Sequence, residues 1–426
     1  MSKVLIFGHA LPTFSSERTE AYGYRTLQLL KPILNSTHDV TVLGKTKVQK
    51  HLQEQKVDSF SYFEWGLWEY RKISRLVDSC SPDCIVAVGL YNSIISTFFV
   101  NQYPTWMDIY GDPITESQLA QVFSDKSLDK LSVRKFLHYV LKFGDKFSVL
   151  STPQKYCMIG ELAIAGRLNG LNLGYDLVDI VFPGVEAKPM KTTDSVATDR
   201  SKDDTFRVVW SGGYNVWCDT KTLFEGLNKA MTIDPRIEFV STGGPAVSSL
   251  KHDELLRMID SSENKDRFHM LGYQKSVEDV YKIWGNCDVG IVTDIHCYET
   301  EIGSRTRIFE KLNYHLPVIM SEGSELSQFV EKFNVGRTFK NGNADLLCDI
   351  VLELSQNGDR LRIFKKNIKS FLEYFSFANT TKSLNEWVKN PCKAPDRSAK
   401  IKRASCVDFL KYFYSYLRLH LLKRMK

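Results

Sequence analysis

A group of charged and hydroxyl-bearing residues lies between Asp288 and Leu326, in the segment DVGIVTDIHCYETEIGSRTRIFEKLNYHLPVIMSEGSEL. Two apolar runs in this segment, Val289–Val292 and Pro317–Met320, have the length of buried strands, and polar residues follow each run. The second run ends in Ser-Glu-Gly-Ser, which predicts a helix opening at Ser324. Helix starts at the carboxyl ends of parallel strands attract diphosphates, because their free N–H groups and the helix dipole both favour an anion. The segment therefore predicts a nucleotide-sugar site.

The helix between these two runs carries three further candidates. Apolar residues at helical spacing predict that it extends from Ser304 to Leu316. On it, Glu310 could accept hydrogen bonds from a vicinal diol such as that of a ribose. Arg305 and Arg307 could bind phosphate oxygens, for which guanidinium groups are well shaped. An alternative is that Arg307 pairs with Glu310 across one turn as part of an ordinary surface.

A glycine turn at the start of the second half of the chain is a second candidate for phosphate binding. The sequence FRVVWSGGYNVWCDTKTLFEGLNKA predicts a strand, the pair Gly212-Gly213, and a helix beginning near Asp219 or Thr220. Glycines let the backbone approach a phosphate closely, although such a pair is also simply a tight turn. A Rossmann dinucleotide fingerprint is excluded, because the GxGxxG spacing fails both here and at Gly8.

The first half of the chain offers candidates for the acceptor side of a reaction. Gly8 and His9 end the first predicted strand, and the helical segment EAYGYRTLQLL, which contains Arg25, follows. Asp108 and Asp112 lie at the carboxyl end of the predicted strand PTWMDI, where either could orient an acceptor hydroxyl or act as a base. Each could equally be a helix cap or a turn former.

Strands alternate with helical patterns along almost the whole chain, which predicts an α/β fold with parallel sheets. The first half has the strand-like segments KVLIF, DVTVL, DCIVAVG, PTWMDI and FSVLS, and the second has FRVVWSG, IEFVSTGG, RFHMLG, DVGIVTD and LPVIM. We expect two doubly wound, Rossmann-like domains facing a central cleft. The predicted divisions are residues 1–182, a linker at 183–205, a second domain at 206–375, a helix at 376–390 packing back toward the first domain, and a tail at 391–426.

Composition places the chain among ordinary globular proteins. It has 426 residues, of which 43% are hydrophobic and 25% charged. Neither a signal-peptide pattern nor an apolar run near 20 residues is present, so we expect no membrane span. Nine scattered cysteines without a CxxC pair favour a reducing cytoplasm over disulfides or a zinc site. His269, His296 and His315 lack metal-ligand spacing, so neither a metal nor another cofactor is expected.

The formal net charge of +6 is concentrated at the C-terminus. Residues 391–426 carry ten basic and two acidic side chains, a net charge of +8, whereas the rest of the chain sums to −2. A general nucleic-acid surface is therefore not expected. Apolar residues recur at helical spacing from Val407 to Leu422, which predicts an interfacial helix that places residues 400–426 on an anionic membrane surface. The alternatives are a helix docked on the protein's own surface and a basic end that attracts RNA.

Taken together, these motifs resemble those of a bacterial group 1 (family 4) glycosyltransferase of the GT-B fold, over roughly residues 3–389. The resemblance lies in SGGYNVWCDTKTLFEGL, RFHMLGY, the segment from Asp288 to Leu326, and VFPGVE. In the first half of the chain, DIYGDPITESQ and PQKYCMIGELAIAGRLN resemble segments of a less characterised branch of these enzymes. It implies transfer of a sugar from a nucleotide donor, usually with retention and without a metal. Glu310 would be the second glutamate of the family's E-x7-E motif and bind the ribose. The backbone near Gly272 would meet the nucleobase.

With the resemblance added, the candidate residues form three groups. The donor-binding candidates are Gly212, Gly213, Gly272, Asp294, Glu299, Ser304, Glu310, Gly323, Ser324 and Glu325. The catalytic candidates are Asp108, Asp112, Glu301, Arg305 and Arg307. The acceptor-side candidates are Gly8, His9 and Arg25.

The sequence departs from the family pattern in two places. Ile302 occupies the position of the first E-x7-E glutamate, with Glu299 and Glu301 nearby, and no cation follows the glycine turn at Gly212-Gly213. Arg305 and Arg307 are the candidates to replace that cation. The predicted function is transfer of a sugar to a glycan or lipid-linked acceptor in bacterial surface polysaccharide synthesis, at the cytoplasmic face of the inner membrane. A catalytically inactive partner subunit and a sugar-nucleotide epimerase are the alternatives.

Overall fold

The computed structural model describes residues 1–12, 21–45, 54–57, 60–65, 70–122, 128–186, 204–246 and 248–398. They form two compact units. One contains Met1–Pro183 and the chain from Phe377 onward, and the other contains Gly184–Ser376. Most of the predicted linker and the whole predicted interfacial helix lie outside the described residues.

The N-terminal unit is built on an eight-stranded sheet with the order β3-β4-β2-β1-β5-β6-β7-β8. All its neighbouring strands pair in parallel except β3 with β4. The strands are β1 (Lys3–His9), β2 (Asp39–Lys45), β3 (Glu54–Val57), β4 (Phe60–Trp65), β5 (Cys84–Val88), β6 (Thr105–Asp108), β7 (Lys146–Val149) and β8 (Val178–Ile180). The helices between them are α1 (Ala21–Asn35), α2 (Tyr70–Cys80), α3 (Leu90–Ser96), α4 (Pro113–Val122), α5 (Leu128–Phe143) and α6 (Thr152–Ile164).

The C-terminal unit has a six-stranded parallel sheet with the order β11-β10-β9-β12-β13-β14. Its strands are β9 (Phe206–Tyr214), β10 (Ile237–Pro245), β11 (Phe268–Met270), β12 (Val289–Val292), β13 (Val318–Ser321) and β14 (Gly336–Phe339). Its helices are α7 (Thr220–Ile233), α8 (Leu250–Asp260), α9 (Val277–Trp284), α10 (Tyr298–Ile302), α11 (Arg307–Asn313), α12 (Glu325–Phe333), α13 (Ala344–Gln356) and α14 (Gly358–Tyr374).

Several strands inside the two sheets are buried along their whole length, as expected for parallel sheets with helices on both faces. Every residue of β5, β12 and β13 is buried, which explains why each reads as a continuous apolar run. These two doubly wound sheets confirm the predicted α/β class.

The chain returns to the N-terminal unit after Ser376 through α15 (Phe377–Thr380), α16 (Lys382–Lys389) and α17 (Pro395–Ser398). Helix α16 buries Leu384, Trp387 and Val388 in the core formed by β1 and its neighbouring strands. Helix α17 is held by Arg167, whose Nε donates to Asp396 Oδ2 over 2.6 Å. The return segment is therefore an integral part of this unit.

Several elements differ from the sequence-based expectation. Strands β3, β4, β8 and β14 are not among the predicted strands, because they are short or contain polar residues that obscure the pattern. The helix expected from Ser304 to Leu316 is shorter, running from Arg307 to Asn313, since the residues before it form a loop held by ion pairs. In the described part of the chain, no helix is both long and apolar enough to cross a bilayer.

Candidate functional site

A buried arginine organises the loop between β12 and α11. Arg305 Nε donates to Asp294 Oδ2 over 2.7 Å, while its Nη1 and Nη2 donate to the two Glu299 oxygens over 2.9 and 2.7 Å. Nη2 also donates to the Thr300 hydroxyl. All three charged residues are buried. The guanidinium of Arg305 is thus engaged by the protein itself, a positioning role different from the phosphate contact predicted for it.

The same loop requires a glycine beside the arginine. A Cβ on Gly303 would lie 2.6 Å from the Glu299 carbonyl oxygen and 2.9 Å from Glu299 Oε1. Gly303 therefore allows the chain to fold tightly over the ion pair. Position 302, where the resemblance expects a glutamate, ends helix α10 just before this turn.

Arg307 has different surroundings from Arg305. Its Nη2 donates to the Gly213 carbonyl oxygen over 3.1 Å, and its guanidinium lies 5.0 Å from the centre of the Trp210 ring. Trp210 in turn stacks on Tyr214, with the ring centres 4.9 Å apart. No ion pair joins Arg307 to Glu310 among the described residues, so the alternative of a surface pair is not observed. The structure instead places a cation beside the predicted glycine turn.

Two glycine pairs, not one, lie at the carboxyl end of this sheet. Gly212-Gly213 of β9 pairs in register with Gly243-Gly244 of β10. A Cβ on Gly243 would lie 2.0 Å from the Gly212 carbonyl oxygen, so the two strands can approach only with glycine there. The second pair was missed as a site feature, although the segment IEFVSTGG shows it plainly after a strand.

The backbone near Gly272 adjoins the second glycine pair. The Tyr273 hydroxyl donates to the carbonyl oxygens of Gly244 and Pro245, over 3.3 and 3.0 Å. Gly272 itself has a φ of +67°, which favours glycine, and open space where a side chain would point. The structure thus brings the predicted Gly272 turn and the glycine turns together at one edge of the sheet.

Helix α12 starts where the sequence predicts, and Ser324 is its N-cap residue. The Ser324 side chain is buried and its Oγ has no hydrogen-bond partner among the described residues; the same is true of the Ser304 Oγ. Gly323 adopts a φ of +109°, and a Cβ there would lie 3.2 Å from Thr300 Cγ2. A buried hydroxyl without a partner at a helix start is costly unless a ligand satisfies it.

The arginine-centred loop is tied to this helix start. The Ser321 hydroxyl, just before Gly323, accepts a hydrogen bond from the Asp294 backbone N–H over 2.8 Å. The Asn341 side chain donates to the Asp294 carbonyl oxygen over 2.7 Å, and a Cβ on Gly323 would lie 3.6 Å from Asn341 Oδ1. Asp294, Gly323 and Ser324 are therefore brought together. The side chain of Asp294 is committed to Arg305.

Helix α11 presents Glu310 outward and Lys311 inward. Glu310 is exposed to solvent and its side chain makes no hydrogen bond or ion pair with other described residues, so its carboxylate is available to a ligand. The completely buried Lys311 Nζ donates to Ser211 Oγ over 2.9 Å. Burial, and then the nearby Arg307, lower the pKa of Lys311 to about 7, against the opposing effect of Glu310. Lys311 was not among the predicted residues, although its spacing from Ile308 places it on the buried face.

The two remaining acidic candidates of this unit stand apart from Arg305. Glu301, on α10, has its Oε1 3.6 Å from Nδ1 of His296; the His296 side chain is exposed and that of Glu301 is partly exposed. Glu325 is the first residue of α12, where a carboxylate interacts favourably with the helix dipole. Neither carboxylate joins the Asp294 and Glu299 cluster.

In the N-terminal unit, the predicted Asp108 and Arg25 form a buried ion pair. Arg25 donates to both Asp108 oxygens, over 2.7 and 3.0 Å, and Ser148 Oγ donates to Asp108 Oδ1 over 2.6 Å. Neither Arg25 nor Asp108 is accessible to solvent. This pair joins α1 to the sheet, so the geometry fits a structural role better than the acceptor and catalytic roles predicted for the two residues.

Gly8 and His9 lie at the end of β1, as predicted. A Cβ on Gly8 would lie 2.3 Å from Thr26 Cγ2, so glycine is needed there for α1 to pack on the strand. The His9 ring stacks on Tyr22 with the ring centres 4.7 Å apart. His9 therefore remains near the carboxyl end of the sheet, whereas Gly8 serves packing.

Asp112 belongs to a second polar group in this unit. Its Oδ1 accepts a hydrogen bond from the Thr115 backbone N–H over 2.6 Å, which caps helix α4. Ligand atoms of Asp112, Cys157 and Glu161 lie within 4.8 Å of one another. Burial, reinforced by the Asp112 charge, raises the pKa of Glu161 to about 8. The Glu161 side chain is therefore protonated at neutral pH and becomes a carboxylate only as the pH rises above about 8.

The geometry can be compared with solved structures. HepE from Anabaena, in complex with UDP and glucose, has a TM-score of 0.64 at 13% identity, covering 92% of this chain and 100% of that one. A UDP-forming α,α-trehalose-phosphate synthase from Burkholderia vietnamiensis has a TM-score of 0.65 at 11% identity, covering 91% and 99%. The chain has the GT-B fold. The lipopolysaccharide outer core galactosyltransferase WaaB is a further GT-B neighbour, with a TM-score of 0.58 at 13% identity and coverage of 92% and 100%.

The sequence itself matches no protein-family model and no curated protein sequence. The GT-B architecture is thus established by shape at an identity where sequence comparison alone finds nothing. The carboxyl edge of the C-terminal GT-B sheet carries the two glycine pairs, Arg307 and the start of α12.

The different surroundings of Arg305 and Arg307 lead to a stability prediction. The variant Arg305→Met leaves Asp294 and Glu299 buried without a counter-charge, so we expect it to lose about 3–5 kcal/mol of unfolding free energy. The matched variant Arg307→Met loses a contact to a ring, a hydrogen bond to a carbonyl oxygen and a weak one to the Cys218 sulfur, together worth about 1–2 kcal/mol. Urea unfolding measures both; similar losses in the two variants would contradict the assigned roles.

The raised pKa of Glu161 predicts a pH dependence. The folded protein holds this proton up to about pH 8, whereas an unfolded glutamate releases it near pH 4.5, so this group's stabilisation is lost as pH rises through that window. The variant Glu161→Gln keeps a neutral side chain at every pH. We expect its melting temperature to fall by about 2–4 °C less than that of the wild type between pH 6 and pH 9. The exposed control Glu386→Gln should follow the wild type, and identical curves for all three proteins would refute the assignment.

Proposed function

We propose that this chain is a glycosyltransferase that moves a sugar from a nucleoside-diphosphate sugar to a glycan or lipid-linked acceptor. The observation that carries the proposal is the start of α12, where a buried, unpartnered Ser324 hydroxyl adjoins a glycine with positive φ. The first N–H groups of a helix have no acceptor within the helix. Together with the helix dipole, they form a site for an anion with several oxygens, such as a diphosphate.

A cation supports the same assignment. Arg307 lies beside Gly212-Gly213, where a Cβ on Gly212 would approach its guanidinium carbon to 3.9 Å. Its contacts with the Gly213 carbonyl oxygen and the Cys218 sulfur use two of its five N–H donors, and the remaining donors can meet phosphate oxygens. Arg307 thus supplies the positive charge that the family pattern places after the glycine turn. The proposal therefore assigns neutralisation of the diphosphate to Arg307 and the helix start, with no cofactor.

The remaining parts of a nucleotide sugar have candidate partners in the same unit. The exposed Glu310 carboxylate can accept hydrogen bonds from both ribose hydroxyls. The open space beside Gly272 can accommodate a base. HepE has been solved with UDP and with UDP-glucose, so uridine is the first nucleotide to test.

Chemically, the arrangement suits departure of the nucleoside diphosphate. Negative charge grows on the diphosphate as the glycosidic bond breaks, and fixed donors aimed at it stabilise that charge.

Retention of anomeric configuration and a place in polysaccharide synthesis belong to the proposal through the resemblance. His9 remains the predicted acceptor-side residue, and Asp112 the predicted catalytic residue of the N-terminal unit. We further propose that residues 400–426 hold the enzyme on the cytoplasmic face of an anionic membrane.

One observation favours a second candidate function. Ile302 occupies the position of the family's first glutamate, and the nearby Glu299 is committed to Arg305. A chain that binds a nucleotide sugar without turning it over would fit this arrangement and could act as a partner subunit of an active transferase. Release of nucleoside diphosphate in the presence of an acceptor separates the two functions.

The unpartnered hydroxyl at the helix start gives a direct test. Thermal shift with UDP-, GDP-, ADP- and dTDP-sugars should identify one stabilising nucleotide for the wild type. The variant Ser324→Ala should remain as stable as the wild type without ligand, because it removes a hydroxyl that has no partner. Its affinity for that donor should fall about tenfold, the value of one hydrogen bond to a charged group.

Ser249 provides the matched control, since it precedes helix α8 without capping a backbone N–H. The variant Ser249→Ala should bind the donor as the wild type does. Unchanged donor affinity in Ser324→Ala, or stabilisation by none of the four nucleotide sugars, would overturn the proposed site.

A further inference from the structure

An exposed aliphatic surface follows helix α6 in the N-terminal unit. Ile164, Leu168, Leu171 and Leu173 are exposed by 82%, 52%, 58% and 91%, and we call these four residues the leucine surface. Single exposed aliphatic residues are ordinary, but four within ten residues are not. Residues 162–175 contain one charged side chain, Arg167, and it is buried. The surface therefore carries no charge of its own.

The leucine surface is held in place by hydrogen bonds beneath it. Arg167 donates to the carbonyl oxygens of Leu141 and Gly144, over 2.7 and 2.9 Å. Asn172 Nδ2 donates to the Arg167 carbonyl oxygen over 2.8 Å, and Asn169 Oδ1 accepts from the Leu171 N–H over 3.0 Å. The backbone is thus fixed, while the aliphatic side chains point away from the core. The hydrogen-bonded backbone of this turn therefore keeps these side chains exposed.

A cavity of about 530 Å³ adjoins this surface, with Ile159, Leu162, Leu168, Leu173, Tyr175 and Val178 among its lining residues. Its charged lining residues are Lys155 and Asp176, one of each sign. The cavity and the leucine surface together are apolar and nearly neutral. Burial of such a region away from water is favourable in free energy, but the region has no net charge that would favour one partner over another.

The charge is supplied by the part of the chain that begins beside it. Arg167 and Asn172, within the turn, bind Asp396 of α17 through a 2.6 Å ion pair and a 3.2 Å hydrogen bond to its backbone N–H. Ser398, the last described residue before the basic tail, therefore lies two positions after a residue that is hydrogen-bonded to this turn. Residues 399–426 contain eight basic side chains and one acidic side chain. In sequence, a strongly basic segment thus follows directly after the helix that is bound to this turn.

We propose that the leucine surface is a membrane-insertion site that enters an anionic phospholipid bilayer beside the basic tail. The inference deepens the proposed peripheral attachment of the enzyme and rests on it. Lipid suits this surface better than a protein partner, because protein interfaces favour aromatic and arginine side chains, whereas acyl chains accept aliphatic side chains in any arrangement. Stable attachment to a membrane needs an apolar contribution together with a basic one. Here the leucine surface of the folded unit provides the apolar contribution, and the tail provides the basic one.

Vesicle flotation with the full chain tests the proposal. The probes are vesicles of phosphatidylcholine alone and of phosphatidylcholine with phosphatidylglycerol. The wild type should float with the anionic vesicles, and the double variant Leu171→Ser with Leu173→Ser should bind them about tenfold more weakly. Both residues are exposed, so the variant should melt with the wild type. The control Leu250→Ser with Val277→Ser removes two exposed aliphatic residues from the C-terminal unit and should not change binding.

The other outcomes are distinguishable. Unchanged binding in the Leu171 and Leu173 variant, together with loss of binding in Lys402→Glu with Arg403→Glu, would assign attachment to the tail alone and overturn the leucine surface. Wild-type self-association that disappears in the leucine variant, without vesicle binding, would make the surface a protein interface and also overturn it. Vesicle binding that depends on the leucines, in a protein that no nucleotide sugar stabilises, would support the surface while refuting the proposed transferase.

Discussion

The candidate site depends on the buried guanidinium of Arg305. A buried arginine must satisfy its N–H donors and its charge, and only a loop that brings Asp294, Glu299 and Thr300 to one point does so. That requirement fixes the loop between β12 and α11 and demands glycine at position 303. Because the Asp294 backbone is bonded to Ser321 and Asn341, the same constraint positions the start of α12. Buried ion pairs and hydrogen bonds therefore position the residues of the candidate site.

The N-terminal unit uses the same device. Arg25 and Asp108 neutralise each other at the carboxyl end of the sheet and join α1 to β6 and β7. In both units, an aspartate at the end of a strand forms a buried ion pair with an arginine and so has a structural role. The groups that the fold leaves available, Glu310 and the Ser324 hydroxyl, are then the better candidates for a ligand. This distinction separates structural from ligand-binding charges without reference to any relative.

Much of the fold follows from local pattern. Buried apolar runs located the ten predicted strands, and Asp219 and Ser324 marked two helix starts, because capping chemistry is written in adjacent residues. Short or polar strands such as β4 and β14 lack that pattern. The ion pairs could not be predicted from the sequence. Arg25 and Asp108 are 83 positions apart, and the partners of Arg305 depend on how a loop folds. By contrast, Gly243-Gly244 and the inward position of Lys311 were legible in the sequence.

Hydrogen–deuterium exchange with and without a nucleotide sugar tests the central claim most directly. If the start of α12 binds the diphosphate, the backbone amides from Gly323 to Ser327 should become protected, together with those near Gly212-Gly213. Helix α8, whose start is not assigned a ligand, should exchange at the same rate in both conditions. Protection confined to other parts of the chain, in a protein that binds the nucleotide sugar, would contradict this account.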